Sequence, residues 1–252
     1  MVYAALALGV LAAAFFMYVR VKKGGVPGVI TKTIASIFFI LTAVFALIQV
    51  AEKNEYGYGI CSAEQMTYGI LIVAGLVFGM LGDIALDLKY AYKQNSDVWT
   101  YSGMVAFALG HVCYLAAIYG YTKVAEESAW WCVVPLAVGA LFGLIAVSLE
   151  KPMKLKYGKF KVISGVYGGI LAAMVFSCAS VMINRIRNDG ADFVMWIVMT
   201  VGGVMFLLSD LVLSGMYFDV DQKKNTPANV IVNHTTYYIA QFCIAFAITL
   251  MK

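Results

Sequence analysis

Eight runs of mostly apolar residues, each bounded by charge, constrain this chain more than any other feature of it. A hydrocarbon core about 30 Å thick takes roughly 20 residues of helix to cross. Runs of that length lie near 2–19, 29–49, 66–88, 99–120, 129–148, 162–183, 193–216 and 229–250. Of 252 residues, 62% are apolar and 13% charged, the latter about half the usual share in a soluble domain. The runs are continuous and rich in Ala, Leu, Met and Gly, without the alternation of a membrane β-barrel. The chain therefore reads as an all-α membrane protein, eight transmembrane helices in one bundle, with a single integral-membrane domain over 1–252. Arg20, Lys22 and Lys23 follow the first run and no charge precedes it, so it reads as a retained helix and not as a signal peptide.

Lysine and arginine set the orientation. The first, third, fifth and seventh connections hold thirteen of them (Arg20, Lys22, Lys23, Lys32; Lys89, Lys93; Lys151, Lys154, Lys156, Lys159, Lys161; Lys223, Lys224) and the rest of the chain five. That places the odd connections in the cytoplasm and both termini outside, in the inner membrane if the source is bacterial. Trp99, Trp130, Trp131 and Trp196 fall near segment starts, where an interfacial belt would have them. The net charge of +4 is accordingly a topology signal, and nucleic acid is not an expected partner. Five cysteines with no CxxC spacing argue against a disulfide framework or a zinc knuckle.

An ionisable side chain near the middle of a bilayer costs at least about 2.5–3.5 kcal/mol, so each one is a candidate for function. The third segment contains GMLGDIALDLKY, in which Gly75, Gly79, Asp83 and Asp87 recur every four residues on one face. Glycines let a neighbouring helix close on such a face. The fourth contains FALGHVCY, with Phe107, His111 and Tyr114 on one face, and the seventh contains Ser209 and Asp210. In the eighth, NHTTYYIAQF sets His234, Tyr237, Tyr238 and Gln241 along a single polar stripe. Each has a plainer reading. Asp87, beside Lys89, reads first as a solvated end residue and His234 as an interfacial one. Tyr237, Tyr238 and Gln241 could only join helices, His111 could be a satisfied core histidine, and Asp83 and Asp210 could be structural carboxylates.

The topology gathers these groups in the cytoplasmic half of the membrane. GDIAL and SDLVL share a small-Asp-x-x-Leu pattern, which hints at two parallel four-helix halves. Two carboxylates in a low-dielectric pocket cannot both ionise easily, which makes an acid and a base from one residue type, as in glycoside hydrolysis. There is no GxSxG elbow, P-loop or dinucleotide fingerprint. With two histidines a zinc site is disfavoured, although Asp83, His111 and Asp210 could in principle make a mixed one; neither metal nor other cofactor is the expectation.

GD with Leu86 three residues after Asp83, GMVAFALGHVCY (Gly103 to Tyr114), YGGILAAM (Tyr167 to Met174), FLLSDLVL (Phe206 to Leu213) and TTYYIAQ (Thr235 to Gln241) occur in this order. Together they resemble the YhhN-like family, whose animal members include lysoplasmalogenase. The resemblance spans nearly the whole chain and is strongest from Asp83 to Gln241. It departs at Thr33, where the family pattern often has proline, and keeps Lys32.

The resemblance implies hydrolysis of the vinyl ether bond of a lysoplasmalogen, giving a fatty aldehyde and a glycerophospho-base. Asp83 and Asp210 would be the acid/base pair and His111 an orienter or proton relay. Ser209, Tyr114, Tyr237, Tyr238 and Gln241 would hold water or substrate oxygens, with Asp87 and Lys32 toward the headgroup and Lys32 on its phosphate. The implied partners are a lysophospholipid substrate and membrane lipid; oligomeric state is not legible. Two alternatives use the same cluster: a proton-coupled carrier, and a lipid-binding protein without turnover. Pro27, Pro152 and Pro227 read as loop residues and only Pro135 lies inside a segment, so the broken helices of a carrier are not expected.

Overall fold

The computed structural model describes residues 1–53 and 61–251. Its helices are α1 (Val2–Lys22), α2 (Gly25–Lys53), α3 (Ala63–Ala91), α4 (Ser96–Thr122), the four-residue α5 (Val124–Glu127), α6 (Trp130–Ser148), α7 (Lys161–Arg187), α8 (Phe193–Phe218) and α9 (Pro227–Ala247). Among the described residues the extended pairing is one antiparallel bridge, Leu155 with Asp219.

Helices outrun the apolar segments that announce them, because backbone hydrogen bonding continues through interfacial turns where charge replaces apolar residues. Connections shrink accordingly. Between α1 and α2 only Lys23 and Gly24 remain, and Gly24 turns the chain with φ +60°, a left-handed conformation that costs glycine nothing. Lys32, counted with the first connection on the sequence, thus lies inside α2. Pro27 and Pro227 sit in first helical turns and not in loops, where a missing N–H is tolerated. The starts of α3 and α9 are capped by side chains: Ser62 and Gln65 form a capping box on α3, and the Thr226 hydroxyl accepts from the Asn229 N–H on α9.

Seven helices, α1 to α4 and α6 to α8, are long and apolar enough to cross a membrane. The eighth expected span becomes α9, with 21 residues but outside that set, because Asn229, Asn233, His234 and Gln241 dilute its apolar character. It is nevertheless deep in the bundle, packed on α8, α1, α2 and α3. Helix contacts run α1–α2–α3–α4–α7–α8–α9 and close from α9 onto α1 and α2, with α6 laid against α7. The two ends of the chain therefore build one interior.

Close approach requires glycine where α3 meets α4: a Cβ on Gly110 would lie 2.9 Å from the Gly75 carbonyl oxygen. One end of the bundle carries the α1–α2, α3–α4, α6–α7 and α8–α9 connections, tied by Arg20 to Asp87 and by Lys159 to Asp97. There the α6–α7 connection is strapped to the end of α8: the Lys156 N–H donates to the Phe218 carbonyl at 2.8 Å and the Val220 N–H to that of Lys154 at 3.1 Å. Burial works against ionisation of Asp219 in this strap. The N–H groups of Lys223 and Lys224 and the Lys224 ammonium outweigh it and hold the carboxyl below the usual carboxylate value. At the opposite end Lys123 pairs with Glu64 and Arg185 with Asp192.

Candidate active site

At the end of the bundle that carries the strap, α2 and α3 face each other with charge. Lys32, Asp83 and Asp87 are all buried, at 5%, 1% and 2% exposure. Asp83 and Asp87 are one turn apart on α3, so the single ammonium of Lys32 reaches both, at 3.1 and 3.5 Å. Asp83 also accepts from Ser36 of α2 and from Tyr237 of α9, each at 2.7 Å, and Asp87 is met by Arg20 of α1 at 3.4 Å. Charges in an apolar bundle persist only when paired and hydrogen-bonded in this way.

Behind Asp83 a chain of donors runs along α9. Tyr114 donates to Gln241 at 3.4 Å, Gln241 to the Tyr237 oxygen at 2.8 Å, and Tyr237 to Asp83. Gly79 makes room for it, since a Cβ there would lie 2.8 Å from the Gln241 amide nitrogen. The predicted face of Gly75, Gly79, Asp83 and Asp87 thus points into the bundle.

Asp210 of α8 is arranged differently. Its carboxylate accepts from the Tyr167 phenol of α7, and it lines two cavities. One, of about 30 Å³, is polar, bounded by Arg20, Lys32, Asp83, Asp87, His234 and Asp210, and is large enough for water. The other, of about 90 Å³, is apolar, bounded by Met104, Phe142, Leu171, Leu207 and Phe218. Asp210, Phe107 and Tyr217 belong to both walls, so the carboxyl stands where a polar space meets a hydrocarbon one.

The sequence candidates distribute unevenly. Asp83, Asp87, Lys32, Ser209, Asp210 and Tyr237 share the polar cavity. Asp87 is not the solvated end residue expected of it, because Arg20 and Lys32 cover it. His234 is buried, with its ring 4.8 Å from that of Phe16. Ser209 is engaged by Asn233, which donates to its hydroxyl at 2.9 Å and its carbonyl at 2.8 Å and so fixes α9 to α8. Tyr238 donates to the Lys32 carbonyl at 3.4 Å and lies outside the cavity wall; Tyr114 and Gln241 belong to the relay.

His111 makes no hydrogen bond to either aspartate. Its Nδ1 donates to the Phe107 carbonyl one turn back, at 2.7 Å; a carbonyl only accepts, so that nitrogen carries the proton. Its ring stacks edge-on to Phe206 and to Tyr167, the residue whose phenol donates to Asp210. Among the described residues no group of three or more His, Cys, Asp or Glu gathers as a metal site would require. Sequence reading passed over Arg20, Ser36, Asn233 and the phenol of Tyr167. Ser36 could have been found as the residue one turn after Lys32.

A family model, described as the YhhN family, matches residues 29–248. No curated protein matches the chain, and no solved structure does.

Proposed function

The chain belongs to the YhhN family, and from that premise we propose that it is a membrane-embedded hydrolase of lysoplasmalogen-type lysophospholipids, releasing a fatty aldehyde and a glycerophospho-base. The observation that carries this reading is the junction at Asp210 of a polar cavity and an apolar one, a shape that suits an amphiphile whose reactive bond lies between chain and headgroup. On this reading α9 is the eighth span of one integral domain. The lysine-rich end faces the cytoplasm and both termini lie outside, so the headgroup enters from the cytoplasmic side and the alkenyl chain lies between helices.

The two aspartates divide the work. Every partner of Asp83 is a donor, one of them an ammonium, which suits a standing carboxylate. Asp210 accepts from Tyr167 through Oδ2, leaving Oδ1 to carry the proton. Asp210 transfers that proton to the β-carbon of the vinyl ether; the π pair forms the new C–H bond and an oxocarbenium ion remains. Asp83 stabilises that cation. Water attacks the oxocarbenium carbon and returns a proton to Asp210, giving a hemiacetal. The hemiacetal then collapses: its C–O bond to glycerol breaks, the glycerol oxygen takes up the hydroxyl proton, and the aldehyde leaves. Overall one water is consumed. His111 orients Tyr167 and does not move the proton.

The test is to give purified protein lysolipids that differ only in the sn-1 linkage and to measure aldehyde, fatty acid and alcohol separately. Aldehyde from the vinyl ether alone is the expected result. Fatty acid from the ester, or no product from any linkage, would sink the reading.

A further inference from the structure

Lys89 is placed unlike the other cations near the polar cavity. Arg20 and Lys32 are committed to Asp87 and Asp83, but Lys89 has no ion pair among the described residues. Its ammonium instead rests on aromatic faces, against the ring of Tyr217 and 4.9 Å from the centroid of Tyr90. The guanidinium of Arg20 lies over the same Tyr90 ring at 4.0 Å. Tyr90, Tyr217 and Arg20 all line the polar cavity. Two cations from different helices, α1 and α3, are thus brought to one ring despite their mutual repulsion. Arg20 touches its carboxylate through a single nitrogen at 3.4 Å, which leaves other N–H donors of its fork uncommitted.

Two basic groups set this close repel when both are charged, and an anion between them would offset that repulsion. We propose that Arg20 and Lys89, set around Tyr90, form a subsite for the phosphodiester monoanion of a lipid headgroup, so that the protein selects phospholipids over neutral glycerol ethers. This deepens the hydrolase reading and rests on it for the placement of the substrate. Arg20 offers directed N–H bonds to phosphate oxygens and Lys89 a point charge.

Binding can be measured apart from turnover with saturated alkyl ether ligands, which have no vinyl group to protonate. The ligands are hexadecyl-glycerophosphocholine, hexadecylglycerol and chain-free glycerophosphocholine, each titrated into the full protein in nanodiscs. The phosphodiester lipid is expected to bind about tenfold or more tightly than the alkylglycerol. Lys89→Met and Arg20→Met should each remove about tenfold of that affinity and leave alkylglycerol binding unchanged, with Arg20→Lys falling between. Lys89→Met breaks no ion pair, so it tests the subsite even if Arg20→Met folds poorly. Wild-type affinity for both lipids in folded Lys89→Met would overturn the proposal. So would chain-free glycerophosphocholine binding as tightly as the lipid, which would make the ligand a soluble phosphodiester. If the lipid binds in this Arg20- and Lys89-dependent way while its vinyl ether counterpart yields no aldehyde, the subsite stands and the hydrolase reading fails.

Discussion

Asp83 and Asp210 are one residue type given two environments. Asp83 is held between Lys32, Ser36 and Tyr237, whereas Asp210 has one phenol and faces two cavities. Breaking a buried pair from one side costs about 3–5 kcal/mol because the remaining charge is stranded; Asp87 softens that here by keeping a hold on Lys32. Asp83→Asn should therefore lower the thermal midpoint in detergent more than Asp210→Asn. The double variant Lys32→Met with Asp83→Asn should be less destabilised than the two singles summed, by about 0.5–3 kcal/mol; strict additivity would mean that the pair is not coupled. Both aspartates are legible in the sequence because a carboxylate stands out in an apolar run. Arg20 is not, since at a helix end it looks like any other topology charge. Lys32, assigned to a connection, hid its own pairing with Asp83 and Asp87.

Among elements, α3, α4 and α9 carry the relay to Asp83, and glycine decides how near they come. Gly79 faces the end of a flexible side chain and Gly110 faces backbone. Gly79→Ala should leave the fold intact, push Gln241 aside and lower turnover, by up to about 100-fold if the relay positions Asp83. Gly110→Ala should instead separate α3 from α4 and show first as a lower melting temperature. Equal thermal losses in both, with turnover preserved in Gly79→Ala, would remove Gln241 from the account. The face shared by Gly79, Asp83 and Asp87 is readable from a four-residue spacing. Helix ends are less so, because hydropathy marks where the apolar run stops and hydrogen bonding carries the helix further. The polar stripe of α9 shows the same limit from the other side: the residues that give it a role are those that take it out of the set of plainly apolar spans.

At the scale of the whole molecule, the contact of α9 with α1, α2 and α3 joins both ends of the chain around one interior. Single-helix periodicity identifies an inward face but not what stands opposite it. His111, expected beside the aspartates, has its hydrogen bond to the Phe107 carbonyl and its ring edge-on to that of Tyr167. The junction of cavities at Asp210 depends on helices from both ends and has no signature in any one segment. The central claim is that Asp210 delivers a solvent-exchangeable proton to the β-carbon of a vinyl ether there. It is tested most directly by running the reaction in D₂O with immediate trapping of the aldehyde. The account expects one deuterium at the carbon next to the carbonyl, and no aldehyde above background from Asp210→Asn. Unlabelled aldehyde, or wild-type release from Asp210→Asn, would contradict it.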